Sequence, residues 1–220
     1  MRCTVDHFVP VNRVIWDTLF PNWQQIMETV PVDFIVGFPQ PYDAVVDFDP
    51  DGDRHIMFDL CCWTSYVGTY DVEVLLRDFL THEMTHVFIG HTVPGIDASL
   101  ECPDYLACLD ANTFHEGFAH LISYEAQEID TVNWHTPEFA QAYARCKQKM
   151  QQALAETDEA KQKENLLTAI CGGYYDKFAS ICGMLHLVSC WEKGGLAALQ
   201  AVLAEGYLGF AEKTIAGSYQ

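Results

Sequence analysis

The sequence predicts an α+β fold, mostly helical, with a small antiparallel or mixed sheet confined to the N-terminal part. Short runs rich in β-branched and aromatic residues, each bounded by Pro, Gly or Asp, cluster between residues 32 and 63. From Asp71 onward apolar residues recur at three- and four-residue intervals, the period of a helix. Near residue 90 the patterning shifts from strand-bearing to wholly helical. Half of the 220 residues are hydrophobic and 13% are aromatic, so a sizeable core is available. The expected organisation is one domain over 1–220. A strand-bearing lobe (1–92) and a helical lobe (93–220) would flank a single cleft.

In chain order, residues 11–29 read as a first helix through Val14, Ile15, Leu19 and Ile26, with Pro21 either kinking it or starting a second piece. Residues 32–38, 44–48 and 55–63 read as strands. Between the last two, Asp49-Pro50-Asp51-Gly52-Asp53 reads as a hairpin turn, because a calcium loop would need a closing glutamate that is missing here. A long helix follows over 71–90, with Asp71 as N-cap and Gly90 as the residue past its end. Its stripe of Val72, Leu75, Leu76 and Phe79 runs on into His82, Glu83 and His86, which would place these three on the inward face, at a cleft floor. Residues 91–109 read as a loop and 110–128 as a second helix. Beyond come a polar linker (130–137), a polar helix (138–156) and a charged stretch (156–164). A helix over about 173–193 is ended by Gly194-Gly195, and shorter helical pieces complete the chain.

Lys and Arg number 12 against 31 Asp and Glu, a net charge of −19. That charge repels phosphate backbones and anionic lipid surfaces, so neither nucleic acid nor a membrane is expected as a partner. The first ten residues carry Arg2, Asp6 and His7 and no apolar targeting segment. No apolar run approaches the roughly 20 residues of a spanning helix. The nine cysteines are odd in number and scattered through apparent helices, which suits reduced thiols and a cytoplasmic location.

The motif with chemistry in it is His82-Glu83-Met84-Thr85-His86. On a helix, residues i and i+4 stack on one face, so both imidazoles can reach one ion. The carboxylate beside them can act on a metal-activated water, and this is the His-Glu-x-x-His arrangement of zinc metallopeptidases. Random order would give the pattern about 0.02 times in a chain of this composition. A catalytic zinc takes three protein ligands and keeps one position open. Downstream, the side chains able to supply the third are His91, Asp97, His115, Glu116, His120, His135 and His186. The extended signature with a third histidine fails, since Ile89 and Thr92 stand where it needs Gly and His.

Together with His115-Glu116-Gly117-Phe118-Ala119, the motif resembles the glutamate-zincins, the thermolysin-like and aminopeptidase-N-like metallopeptidases. In these a second helix presents an Asn-Glu-Gly-Phe-Ala-type segment whose glutamate completes the zinc site. The resemblance implies His82, His86 and Glu116 as zinc ligands and Glu83 as general base. It also implies a peptide or protein substrate, and a Tyr or His donor for the oxyanion, for which Tyr174, Tyr175 and His186 are the candidates. It covers two helices, and two departures stand out. His115 replaces the Asn of the aminopeptidases, and 29 residues separate His86 from Glu116. The small chain looks closer to predicted zinc-dependent proteases of unassigned function. Gly117 would admit the first helix closely. Thr113-x-x-Glu116 also has capping-box spacing, which gives Glu116 a structural alternative. His120, one turn beyond Glu116, can be a rival ligand, a partner of the ligand or a core histidine. The expected activity is zinc-dependent peptide or amide hydrolysis. The alternatives are a zinc-binding, catalytically silent scaffold or regulator and a metal-free helical interaction protein.

Overall fold

The computed structural model describes residues 1–37, 43–49 and 51–217. Its fold is α+β and mostly helical, with a three-stranded mixed sheet near the N-terminus and helices from there on. The chain gathers into two compact units: Met1–Phe88 with Ile122–Thr131, and Ile89–Leu121 with Val132–Gln220.

The first unit opens with α1 (Arg2–Asp6), α2 (Arg13–Leu19) and α3 (Trp23–Met27). The helix expected over 11–29 is therefore two, broken around Pro21, whose ring nitrogen cannot continue the hydrogen-bond ladder. Strands β1 (Val32–Ile35), β2 (Ala44–Phe48) and β3 (Arg54–Asp59) follow. β3 is central, parallel to β1 with Val32 opposite Ile56, and antiparallel to β2 with Ala44 opposite Phe58. Ile56 and Phe58, two apart and hence on one face, are wholly buried. Asp49 ties the hairpin, its Oδ1 accepting the Asp51 and Asp53 N–H groups at 2.9 Å each. Pro50 of that predicted turn and Phe38 of the first predicted strand lie outside the described residues. The strand expected over 55–63 stops at Asp59, whose carboxylate accepts the Cys61 N–H at 2.9 Å and caps the short helix α4 (Leu60–Trp63).

The spine of this unit is α5 (Val72–Thr92), whose last four residues belong to the second unit. Asp71 caps it as expected, accepting the N–H groups of Glu73 at 3.0 Å and Val74 at 3.3 Å. Gly90 does not end it; the helix runs on to Thr92 and stops ahead of Pro94 and Gly95, the latter at φ 78°. Two threonines on its covered side anchor the start of the chain. Thr81 accepts the Val11 N–H and Thr85 accepts the Trp16 indole N–H, both at 3.1 Å. Each hydroxyl also donates one turn back, to Arg77 and Thr81 carbonyls, so both its roles are filled. Trp16 then stands edge-on to Phe88 at 4.8 Å.

The inward stripe needs correcting. Leu76, Leu80, Met84, Val87 and Phe88 are the deeply buried positions, whereas Leu75, Phe79, His82 and His86 are only half-buried. These four share one face at three- and four-residue spacing, and between Leu80 and Ile89 every residue other than the two histidines is buried. The histidines therefore lie on the most open face of a mostly buried helix segment, while Glu83 is buried.

Residues 122–131 close the first unit through Asn12. Its amide donates to the Ile122 and Gln127 carbonyls at 2.8 and 3.0 Å, and its Oδ1 accepts the Ile129 N–H at 2.7 Å. Nearby, Glu125 and Ala126 adopt left-handed backbone conformations, φ 47° and 54°. Asp78 accepts hydrogen bonds from Ser123 and from the Ala126 backbone, yet burial pushes its carboxyl up to about 7. The folded state thus holds this proton more tightly than the unfolded chain does. The resulting stabilisation is complete below the ordinary carboxylate range and is lost as pH rises through about 7. Between about pH 5 and about pH 8 the wild type is expected to lose on the order of 2 kcal/mol more than Asp78→Asn, read from urea unfolding. Equal losses would reject this account.

The second unit contains α6 (Ile96–Leu100), α7 (Tyr105–Ser123, its last two residues in the first unit), α8 (Pro137–Leu154), α9 (Glu159–Ile170), α10 (Phe178–Glu205) and α11 (Phe210–Ala216). The loop expected over 91–109 thus carries a helical turn. α7 begins earlier than residue 110 because Asp104 caps it, accepting from Leu106 and Ala107 at 3.1 and 3.3 Å. It also ends before residue 128, at Ser123. Asp110 lies inside α7 and caps another helix, accepting the Gly209 and Ala211 N–H groups at 2.6 and 2.9 Å at the start of α11. The charged stretch at 156–164 starts α9, with Asp158 accepting the Lys161 N–H at 3.0 Å. α10 packs against α8, α9 and α11 and breaks at Gly195 (φ 58°, ψ −144°), where Gly194-Gly195 was expected to stop it. Among the described residues no helix is long and apolar enough to cross a membrane, and no disulfide joins the cysteines.

Candidate metal centre

His82 and His86 face each other across one turn of α5. Their Nε2 atoms are 3.1 Å apart, with ring centroids at 4.7 Å and planes at 81°. Two imidazole nitrogens on one tetrahedral zinc, each at 2.0–2.1 Å, stand about 3.3 Å apart. The observed separation therefore fits a shared ion. Glu116, on α7, offers a carboxylate oxygen to the same spot, and the three ligand atoms all lie within 4.8 Å of one another. All three residues are half-buried, and theirs is the one such group of His, Cys, Asp and Glu among the described residues.

The capping alternative for Glu116 falls away. Thr113 lies in the middle of α7, donating to the Leu109 carbonyl at 2.7 Å, and Asp104 serves as the cap. Gly117 does admit a close neighbour, but it is α10. A Cβ on Gly117 would stand 2.9 Å from the Gly183 Cα, and one on Gly183 only 2.4 Å from the Thr113 carbonyl oxygen. Backbone touches backbone at this crossing, which only two glycines allow.

The crossing delivers a residue that sequence reasoning missed. Ser180, one turn before Gly183 and wholly buried, donates to Glu116 Oε2 at 3.2 Å. A lone hydroxyl in the apolar run Phe178-Ala179-Ser180-Ile181 was the available signal, though it names no partner. His120 Nδ1 lies 3.2 Å from the same oxygen and 3.0 Å from the Glu116 carbonyl. It is thus a neighbour of the carboxylate and stands outside the three-atom group.

The remaining histidines lie elsewhere. His115 is buried with Nε2 3.8 Å from Asp97 Oδ1, and His135 pairs with Glu192 at 2.6 Å. His91 is exposed. Of the three oxyanion candidates, Tyr174 packs on His120 at 5.5 Å, and Tyr175 stands edge-on to Phe139 at 5.9 Å. His186 rests against Phe210 at 5.4 Å, and burial, reinforced by Lys193 and Lys213, holds its pKa below the ordinary value. Tyr174 thereby touches a neighbour of Glu116, and Tyr175 packs on Tyr174 at 5.2 Å. Compared with known proteins, the chain matches no family model, no curated protein and no solved structure.

Proposed function

We propose that this chain is a zinc-dependent metallopeptidase of the glutamate-zincin type, hydrolysing a peptide or related amide bond. The observation that carries the reading is the convergence of His82, His86 and Glu116 within 4.8 Å. Two imidazoles and one carboxylate suit zinc, and three ligands leave a position for substrate or water. Zinc bound there supplies a Lewis acid that polarises a carbonyl and makes water acidic near neutral pH. The chain's own residues do the rest. His82 and His86 present their ring nitrogens from a rigid helix, at a spacing already matched to the ion. Glu83, next to His82, accepts a proton from the attacking water and hands it to the leaving amine.

The test joins metal content to turnover. Protein purified with zinc available is expected to carry about one zinc per chain and to cleave members of a mixed peptide library, read by mass spectrometry. Chelation should abolish cleavage and added zinc restore it, while His82→Ala should lose zinc and cleavage together. Zinc without cleavage of any peptide or amide would leave the silent scaffold standing. No zinc at all would remove the metal reading.

A further inference from the structure

We infer that Ser180 is a positioning residue for the metal centre: its hydroxyl holds a carboxylate oxygen of Glu116 and so fixes the orientation in which that side chain meets the ion. The inference rests on the zinc reading above and adds a residue from a different helix. Glu116 Oε2 receives the Ser180 hydroxyl and lies beside His120 Nδ1, each at 3.2 Å.

Ser180 had a simpler option. Serines and threonines inside helices commonly bond back to the carbonyl one turn earlier. Thr81, Thr85 and Thr113 do so, and so does Ser189 on the same helix, to Leu185 at 3.2 Å. Ser180 instead reaches across to a side chain on α7. The Gly117–Gly183 crossing, where backbone touches backbone, sits beside both residues and makes that reach short. A partner that orients a ligating carboxylate in this way would raise the affinity of the site for its ion.

Zinc affinity by competition with a chromophoric chelator, and the visible spectrum of the cobalt(II) form, test this on the full chain. Ser180→Ala is expected to weaken zinc about tenfold. The same variant should change the cobalt band, because the released carboxylate no longer meets the ion in one fixed orientation. In a Glu116→Gln background, Ser180→Ala should change zinc affinity by less than about twofold, because the coupling runs through the carboxylate. Urea unfolding of each metal-free variant separates this from a packing defect, and Ser180→Cys, with its weak donor, reads the same loss should Ser180→Ala fail to fold. Unchanged affinity and cobalt spectrum in a folded variant would overturn the role of Ser180, as would an equal loss in the Glu116→Gln background. A wild type that binds no zinc overturns this inference and the zinc reading together. A wild type that binds zinc beside an unaffected Ser180→Ala removes the inference alone.

Discussion

Glu83→Gln is expected to lower peptide turnover by about 10²- to 10⁴-fold while zinc stays bound. The substitution keeps the size and shape of the side chain, so the packing of a buried residue on α5 should persist. What it removes is the capacity to take up a proton, since an amide stays neutral where a carboxylate would be protonated. Measured as kcat/KM on a peptide that the wild type cleaves, the loss should appear alongside an unaltered zinc content. Both readings are needed. Loss of zinc would move the effect to the ligands, and full turnover with zinc in place would strip Glu83 of the role of general base.

Gly183→Ala should be the most damaging small substitution in the second unit. The new methyl would stand 2.4 Å from the Thr113 carbonyl oxygen, which belongs to a helix backbone and cannot turn aside as a flexible side chain would. α7 and α10 must separate, at a cost of about 1–3 kcal/mol or more. Zinc affinity should fall as well, because Glu116 and Ser180 flank the contact. Gly117→Ala strains the same crossing, so the double variant should lose less than the two single losses combined. Urea unfolding followed by circular dichroism decides. A Gly183→Ala protein within about 0.5 kcal/mol of wild type would mean that the crossing is loose.

What could be read from the sequence was local in origin. The two histidines of α5 are one turn apart by the geometry of any helix, and the Asp71 cap and the Asp49 turn act within four residues. Glu116 came from resemblance to a known motif, and one of its carboxylate oxygens lies within 4.8 Å of a ring nitrogen of each histidine. The misplaced boundaries have tertiary causes. Asp110 looked like the start of α7, but it is recruited to cap α11, a demand arising far along the chain. The face of α5 was misjudged because apolar residues line several of its sides, and only the neighbours decide which side stays open. Ser180 escaped notice for the same reason: no spacing links it to Glu116, and the two glycines that bring them together are distant in sequence.

Asn12 carries a consequence for how this chain is made. Its three hydrogen bonds end on residues 122–129, so the unit that begins the protein is completed by a strap emerging after more than half of the chain. During synthesis from the N-terminus, the earliest helices and the sheet must wait, partly unclosed, while the intervening segment is produced. Bringing together partners so far apart along the backbone carries a loop-closure penalty that slows folding, and it leaves the waiting segment open to misassociation.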